Sequence, residues 1–127
     1  MKNSKFENNF WKYKLENEFE IIAGKTAEDN DILSTVYAMD SDLWFHVQGT
    51  SGSHVLLRHP DKIIPEKETV IKAASVAAWF SKARQAKSVW VTYTLAKNVS
   101  KDKGFKAGTV FVKKSKKIKV SPKLPDG

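Results

Sequence analysis

The chain has 127 residues, 41% of them hydrophobic, and 22 Lys+Arg against 14 Asp+Glu give a formal net charge of +8. A domain of this size buries roughly two-thirds of its unfolded surface, and this apolar fraction excludes global disorder. The absence of cysteine excludes disulfides and cysteine-ligated zinc, no apolar run is long enough to cross a bilayer, and the positive excess suits a polyanionic partner, nucleic acid ahead of an anionic membrane.

Residues 1–9 are polar and lack the apolar run of a signal peptide, so a loose leader on a soluble, cytoplasmic protein is expected. Phe10 to Leu15 and Phe19 to Ala23 are aromatic and β-prone on either side of Glu16-Asn17-Glu18, which predicts a short antiparallel pair. Gly24 breaks the second strand. Thr26 is the expected N-cap of a helix over 27–38, with Asp29 favouring the helix dipole and Ile32, Leu33, Val36 and Tyr37 facing inward.

Asp42 to His59 is the stretch around which the rest is arranged. Leu43, Phe45 and Val47 alternate with Asp42, Trp44 and His46, the period of a strand with one buried face. Gly49 and Gly52 mark a hairpin loop, and alternation resumes from Ser53 to Arg58. Pairing Val47 with Ser53 sets His46 opposite His54, Trp44 opposite Leu56 and Asp42 opposite Arg58. One face of the hairpin is then apolar (Leu43, Phe45, Val47, Val55, Leu57). The other gathers Asp42, Trp44, His46, His54 and Arg58, a costly set to collect without a use, and it is the first candidate site.

Pro60-Asp61 ends that strand. Pro65, Glu66 and Glu68 suit the start of a long helix over 66–86, whose inner side carries Val70, Ala73, Ala74, Ala77, Phe80 and Ser81. Four alanines between Ala73 and Ala78 predict very close packing on a sheet. Ser88 to Leu95 alternates as a strand. A polar segment, 97–108, leads to Thr109 to Val112, and Lys116 to Val120 closes the sheet after the basic turn 113–117. Residues 123–127 read as a tail. From Lys97 onward ten lysines face two aspartates, so this segment alone carries +8, the net charge of the whole chain. Charge gathered in this way suits phosphate contacts, although edge lysines also discourage strand pairing between molecules.

Several segments, in unbroken order over about residues 10–122, resemble the NFACT-R domain. Gly24 to Leu33 (GKTAEDNDIL) is similar to its G-(R/K)-x-x-x-x-N-(D/E)-x-L segment, and Asp42 to His46 with Gly52 to Val55 to its D-x-W-x-H…G-S-H-V signature. Ile64-Pro65, Ala73-Ala74, Ala77-Ala78, Ser81 and Ala83-Arg84 match its alanine-rich helix. Val91 to Thr94, Val99, Lys101, Gly104 and Gly108 continue the match. Two loops depart from the pattern: Ser51-Gly52 stands where many relatives have Pro-Gly, and Lys101-Asp-Lys-Gly104 where many have Lys-Lys-Pro-x-Gly. The resemblance implies the RNA-binding C-terminal module of ribosome-quality-control proteins once called fibronectin-binding proteins. Full-length members also carry an N-terminal NFACT domain, a helix-hairpin-helix region and a coiled coil, for which this chain has no room, so a stand-alone form is expected.

The fold expected is α+β, one domain over 10–122, with a mixed, mainly antiparallel sheet and two helices packed against it. The function expected is non-enzymatic binding of structured RNA, tRNA or rRNA and with it the ribosome, without cofactor or membrane. A protein-docking adaptor using the hairpin face and a DNA-binding module are the alternatives. Trp44, His46 and His54 are candidates for base stacking and for hydrogen bonds to phosphate or 2′-hydroxyl groups, or else form a half-buried aromatic cluster. Ser53 with the Gly49 and Gly52 amides suggests a small anion nest, or merely a turn. Asn30 and Asp31 are placed to cap or orient the hairpin. Lys25, Ser81, Arg84 and Lys87 are candidate backbone contacts, and Asp42, Arg58, Lys97, Lys101, Lys113, Lys114, Lys116 and Lys117 complete the expected nucleic-acid-binding set. Asp42, His46, His54 and His59 have metal-capable side chains but no i, i+4 histidine pair, so no metal is expected. Ser53 and His54, as strand neighbours, point to opposite faces and cannot form a catalytic pair.

Overall fold

The computed structural model describes residues 9–125, so the expected leader falls outside it except for Asn9. In chain order the strands are β1 (Phe10–Lys14), β2 (Glu20–Gly24), β3 (Leu43–Val47), β4 (Val55–Arg58), β5 (Val89–Leu95), β6 (Val99–Ser100), β7 (Phe111–Val112) and β8 (Lys116–Val120). Helix α1 (Ala27–Ile32) follows β2 and helix α2 (Lys67–Trp79) follows β4. Six strands form one sheet in the order β1-β2-β4-β3-β5-β8, and every pairing is antiparallel. The α+β class and the helices against the sheet are as expected.

The hairpin register is the one the alternation predicts. Leu43 pairs with Leu57, Trp44 with Leu56 and Phe45 with Val55. Phe45, Val47, Val55 and Leu57 are all buried on the side facing α2. There Ala73, Ala74, Ala77 and Ala78 are fully buried, and their missing side-chain bulk lets the helix backbone approach the sheet closely.

Part of the opposite face is covered as well, which the alternation of the hairpin did not indicate. Thr26 caps α1 as expected, its hydroxyl accepting from Asp29 N at 3.1 Å. The helix then widens into a π-helical turn over Leu33–Tyr37, closed by Ala38 N donating to Leu33 O. The wider turn changes the inward set. Leu33, Ser34 and Tyr37 are buried while Val36, expected inside, is 60% exposed. Leu33 and Tyr37 join Phe10, Ile22, Trp44, Leu56 and Ala96 in a second core. The polar segment after β5 closes over it. It contains β6, which pairs with β7 in a separate ribbon, and Val99, Val110 and Val112 pack inward.

Helix α2 stops at Trp79, seven residues before the expected end. Gly52 bridges to Ser81, Ser53 N donates to Phe80 O (2.8 Å), and Lys82 N donates to Ser51 O (3.0 Å). These bonds hold residues 80–82 against the β3–β4 loop and compete with a further helical turn. The Ser81 hydroxyl finishes the helix, donating to Ala78 O and accepting from Ala83 N. Residues 123–125 do not hang free: Lys123 N donates to Ser75 O, and Leu124 packs on the α2-side core.

Candidate nucleic-acid interface

The polar face of the hairpin is an internal network. Asp42 and Trp44 are each 2% exposed, and so is His54. Arg58 Nη2 lies 2.7 Å from Asp42 Oδ2 and also donates to Tyr37 O at 2.8 Å, while Met39 N donates to the same carboxylate oxygen. Burial alone would lower the Arg58 pKa, but its hydrogen bonds to the Asp42 carboxylate hold it above its ordinary value. Trp44 Nε1 donates to Ser34 Oγ (2.8 Å), Ser34 Oγ lies 2.7 Å from His54 Nδ1, and His54 Nε2 lies 3.2 Å from Gly108 O. A carbonyl can only accept, so His54 carries its proton on Nε2 and accepts a hydrogen bond from the Ser34 hydroxyl at Nδ1. The relay is complete with a neutral imidazole. Burial, with His46 nearby, pushes the His54 pKa down to about 4.

This arrangement corrects the expected base-stacking surface. Trp44 and His54 have no face open to a ligand, because α1, the π-helical turn and the segment after β5 lie over them. Asp42 and Arg58 form a buried clamp on the chain that enters β3. His46 is half-buried, stacked on Trp44 with ring centroids 6.1 Å apart, and burial lowers its pKa. Asn30 orients the hairpin as anticipated, its Oδ1 accepting from His54 N at 3.0 Å. Asp31 accepts from Gly108 N, while Lys101 donates to Lys106 O (2.6 Å) and Thr109 O (2.9 Å) and lies 3.5 Å from Asp31. Lys101 thus ties down its own loop, an internal use of a residue expected at the phosphate backbone.

At the other end of the hairpin the same sequence builds an open site. A shallow cleft of ≈ 440 Å³ is lined by Trp11, Lys25, Asn30, Gly52, Ser53, Ser81, Lys82 and Arg84 among others, which brings six expected site residues together. Gly52 is required where the loop meets residue 81, since a Cβ there would sit 2.6 Å from Ser81 Cβ. The Ser53 hydroxyl donates to Gly24 O (2.6 Å) and its amide to Phe80 O, so Ser53 braces the cleft wall and does not contribute to an anion nest. The cations are on the rim. Lys25 Nζ lies 4.3 Å from the Trp11 ring centroid, and that ring stacks on Phe80 at 5.9 Å and 3°. Arg84 lies over Trp79 and donates from Nε to Trp79 O (2.7 Å), the sole hydrogen bond from its side chain among the described residues. One nitrogen is fixed, and the rest of the planar fork suits a phosphate.

Lys97 is exposed in the turn after β5, and Lys113, Lys114, Lys116 and Lys117 are exposed on β8 and in the turn before it. Lys87 is exposed between α2 and β5. Among the described residues no group of three His, Asp or Glu side chains is placed to hold a metal ion, and no helix is long and apolar enough to cross a membrane. The exposed tryptophans Trp11 (43%) and Trp90 (40%) were missing from the expected site. The signal for Trp90 lay in the alternation of β5, where it falls opposite Val89 and Val91, and in Lys117 and Lys119, which flank Ile118 in the same way.

Comparison with known proteins matches residues 9–114 to the family described as "NFACT protein RNA binding domain". The chain is 36% identical over 110 residues to the Rqc2 homologue RqcH of Bacillus subtilis, covering 87% of this chain and 19% of that protein. It is 33% identical over 92 residues to the ribosome quality control complex subunit NEMF homologue of Drosophila melanogaster, covering 68% of this chain and 9% of that one. Among solved structures, the C-terminal part of the fibronectin/fibrinogen-binding protein of Streptococcus suis aligns with a TM-score of 0.81 at 35% identity, over 88% of this chain and 45% of that chain. The chain spans about a fifth or less of the length of these curated relatives.

Proposed function

This chain belongs to the NFACT-R family, and from that premise we propose that it is a non-enzymatic module binding structured RNA, tRNA or rRNA, in ribosome-associated quality control in the cytoplasm. One observation carries the placement of the RNA: Lys25, Lys82 and Arg84 line a single open cleft beside Trp11. Lysines and an arginine gathered in one concavity suit a phosphate backbone, which supplies most of the affinity in complexes of this kind. The exposed lysines from 113 to 117 add positive charge elsewhere, on and before the edge strand β8. The protein-docking alternative would use the hairpin face, where Asp42, Trp44 and His54 are buried.

The test is titration of labelled tRNA at several salt concentrations, with unlabelled tRNA and a DNA hairpin of equal length as competitors. Affinity falls steeply with salt, and tRNA competes better than DNA. The double variant Lys25→Ala/Arg84→Ala binds more weakly and lowers the log–log salt slope by about two, one for each phosphate no longer neutralised. An unchanged slope removes the cleft as the site. Binding that ignores salt would sink the RNA function itself.

A further inference from the structure

The sheet face that carries Trp44 and His46 is roofed over only part of its area. Beyond the roof, β3, β5 and β8 leave two cross-strand rows open. In one, Trp90 pairs with Lys119, and Gln48 N donates to Trp90 O at 2.9 Å. In the next, His46 pairs with Thr92 and Thr92 with Lys117. Antiparallel partners point to the same side of the sheet, so these six side chains share one surface. Trp90 is 40% exposed at its centre, Lys117 Nζ lies 4.6 Å from its ring centroid and Lys119 Nζ 5.6 Å. Gln48 Nε2 donates to Thr92 Oγ1 at 3.0 Å, which places an amide and a hydroxyl beside the ring.

We propose that this surface is a stacking platform for one unpaired nucleotide of the bound RNA, an inference that rests on the RNA function above. Trp90 takes the base, Lys117 and Lys119 meet the flanking phosphates, and Gln48 and Thr92 face the base edge. Two ammonium groups beside the ring select an anionic ligand, because an apolar protein partner would have to strip both of water. The nucleotide is unpaired because the base π-faces of a duplex are hidden in the stack, and side chains cannot read the deep, narrow major groove of A-form RNA. Base stacking on tryptophan outweighs an exposed lysine–ring contact, so the base takes the ring face and the flexible lysines swing to the phosphates. Platform and cleft are within reach of one strand. Gln48 borders the platform and Ser51 lines the cleft, and three residues of chain span at most ~11 Å.

The experiment compares an RNA hairpin bearing a single-stranded loop with a blunt RNA duplex of equal phosphate count. The wild-type chain binds the looped RNA more tightly, with quenching of tryptophan fluorescence. Trp90→Ala weakens binding to the looped RNA about tenfold and leaves duplex binding unchanged. Trp90→Phe keeps most of the affinity but loses the larger part of the quenching, which decides the matter even if Trp90→Ala lowers the melting midpoint. If neither variant differs from wild type on looped RNA, or if both RNAs weaken equally, the platform is overturned while the cleft and the RNA function stand. If the wild-type chain binds neither RNA, both fall.

Discussion

The two ends of the β3–β4 hairpin use the same kinds of side chain for opposite purposes. Along the strands and at their open end, Asp42, Arg58, Trp44 and His54 are closed in by α1, the π-helical turn and the segment after β5, and their polar atoms are matched within the chain. At the loop end, Lys25, Arg84 and Trp11 combine the same chemistry, a cation beside an aromatic ring, around an open cleft. Arg58 over Tyr37 (4.7 Å) and Arg84 over Trp79 (4.5 Å) are nearly the same contact. The difference is water. A covered cation must be paired, and its pairing holds the fold; a solvated cation keeps donors for a ligand. Residue type does not tell a clamp from a binding site. Cover does.

The sharpest break of this comparison is to exchange the two arginines' fates. Arg58→Ala leaves the Asp42 carboxylate buried and unpaired, which should lower unfolding free energy by about 3–5 kcal/mol. Trp44→Ala removes a filled volume and the donor to Ser34, with a loss of similar size, about 3–5 kcal/mol. Denaturant midpoints measure both, and whatever fraction remains folded should bind RNA normally. A Trp44→Ala variant that is fully stable but fails to bind would return the tryptophan to the interface.

Acid gives the next largest effect. His54 is held neutral in the folded chain with a pKa of about 4, against an ordinary 6.5. Below 6.5 the unfolded chain gains a proton that the folded chain cannot accept. The contribution of His54 is therefore complete above pH 6.5, declines as pH falls towards 4 and is gone below it, about 3 kcal/mol in all. Unfolding midpoints between pH 7 and pH 4 should follow that slope. In His54→Gln, which can still hydrogen-bond but does not titrate here, the acid limb should flatten. An unchanged limb would assign it to other groups.

Gly52→Ala sharpens the boundary between the two ends. A methyl group there meets Ser81 Cβ and the backbone of residues 80–81, so the loop must shift, at about 1–3 kcal/mol. Because Gly52 also lines the cleft, RNA affinity should fall together with stability, unlike either class of variant alone. The smallest stability effect belongs to the rim. Lys25→Ala and Arg84→Ala should each stay within about 0.5 kcal/mol of wild type in unfolding, while tRNA titrations show weakened binding. A large loss of stability in Arg84→Ala would make it a helix-end brace through Trp79 O, not a ligand contact.

The sequence alone determined the six strands of the main sheet, the hairpin register, the Thr26 cap and the alanine face of α2. Each rests on a local rule: side-chain alternation, capping geometry, or a small residue wherever a helix lies close. It also held a clue to the second core. Ile21-Ile22 and Val55-Leu56-Leu57 are apolar without a break, as central strands are when both of their faces are covered. Tertiary structure alone decided what lies over Trp44 and His54, because their cover comes from residues 27–37 and 96–112, distant in the chain and brought there by the fold. It also decided where α2 stops: residues 80–86 keep helix-forming composition, yet Phe80 O and the amide of Lys82 bond to the hairpin loop. And it sorted the basic residues, tying Lys101 to the carbonyls of its own loop and leaving Lys25 and Arg84 at the cleft. A backbone or side-chain donor bonds whichever acceptor the fold brings near, and sequence distance does not reveal which that will be.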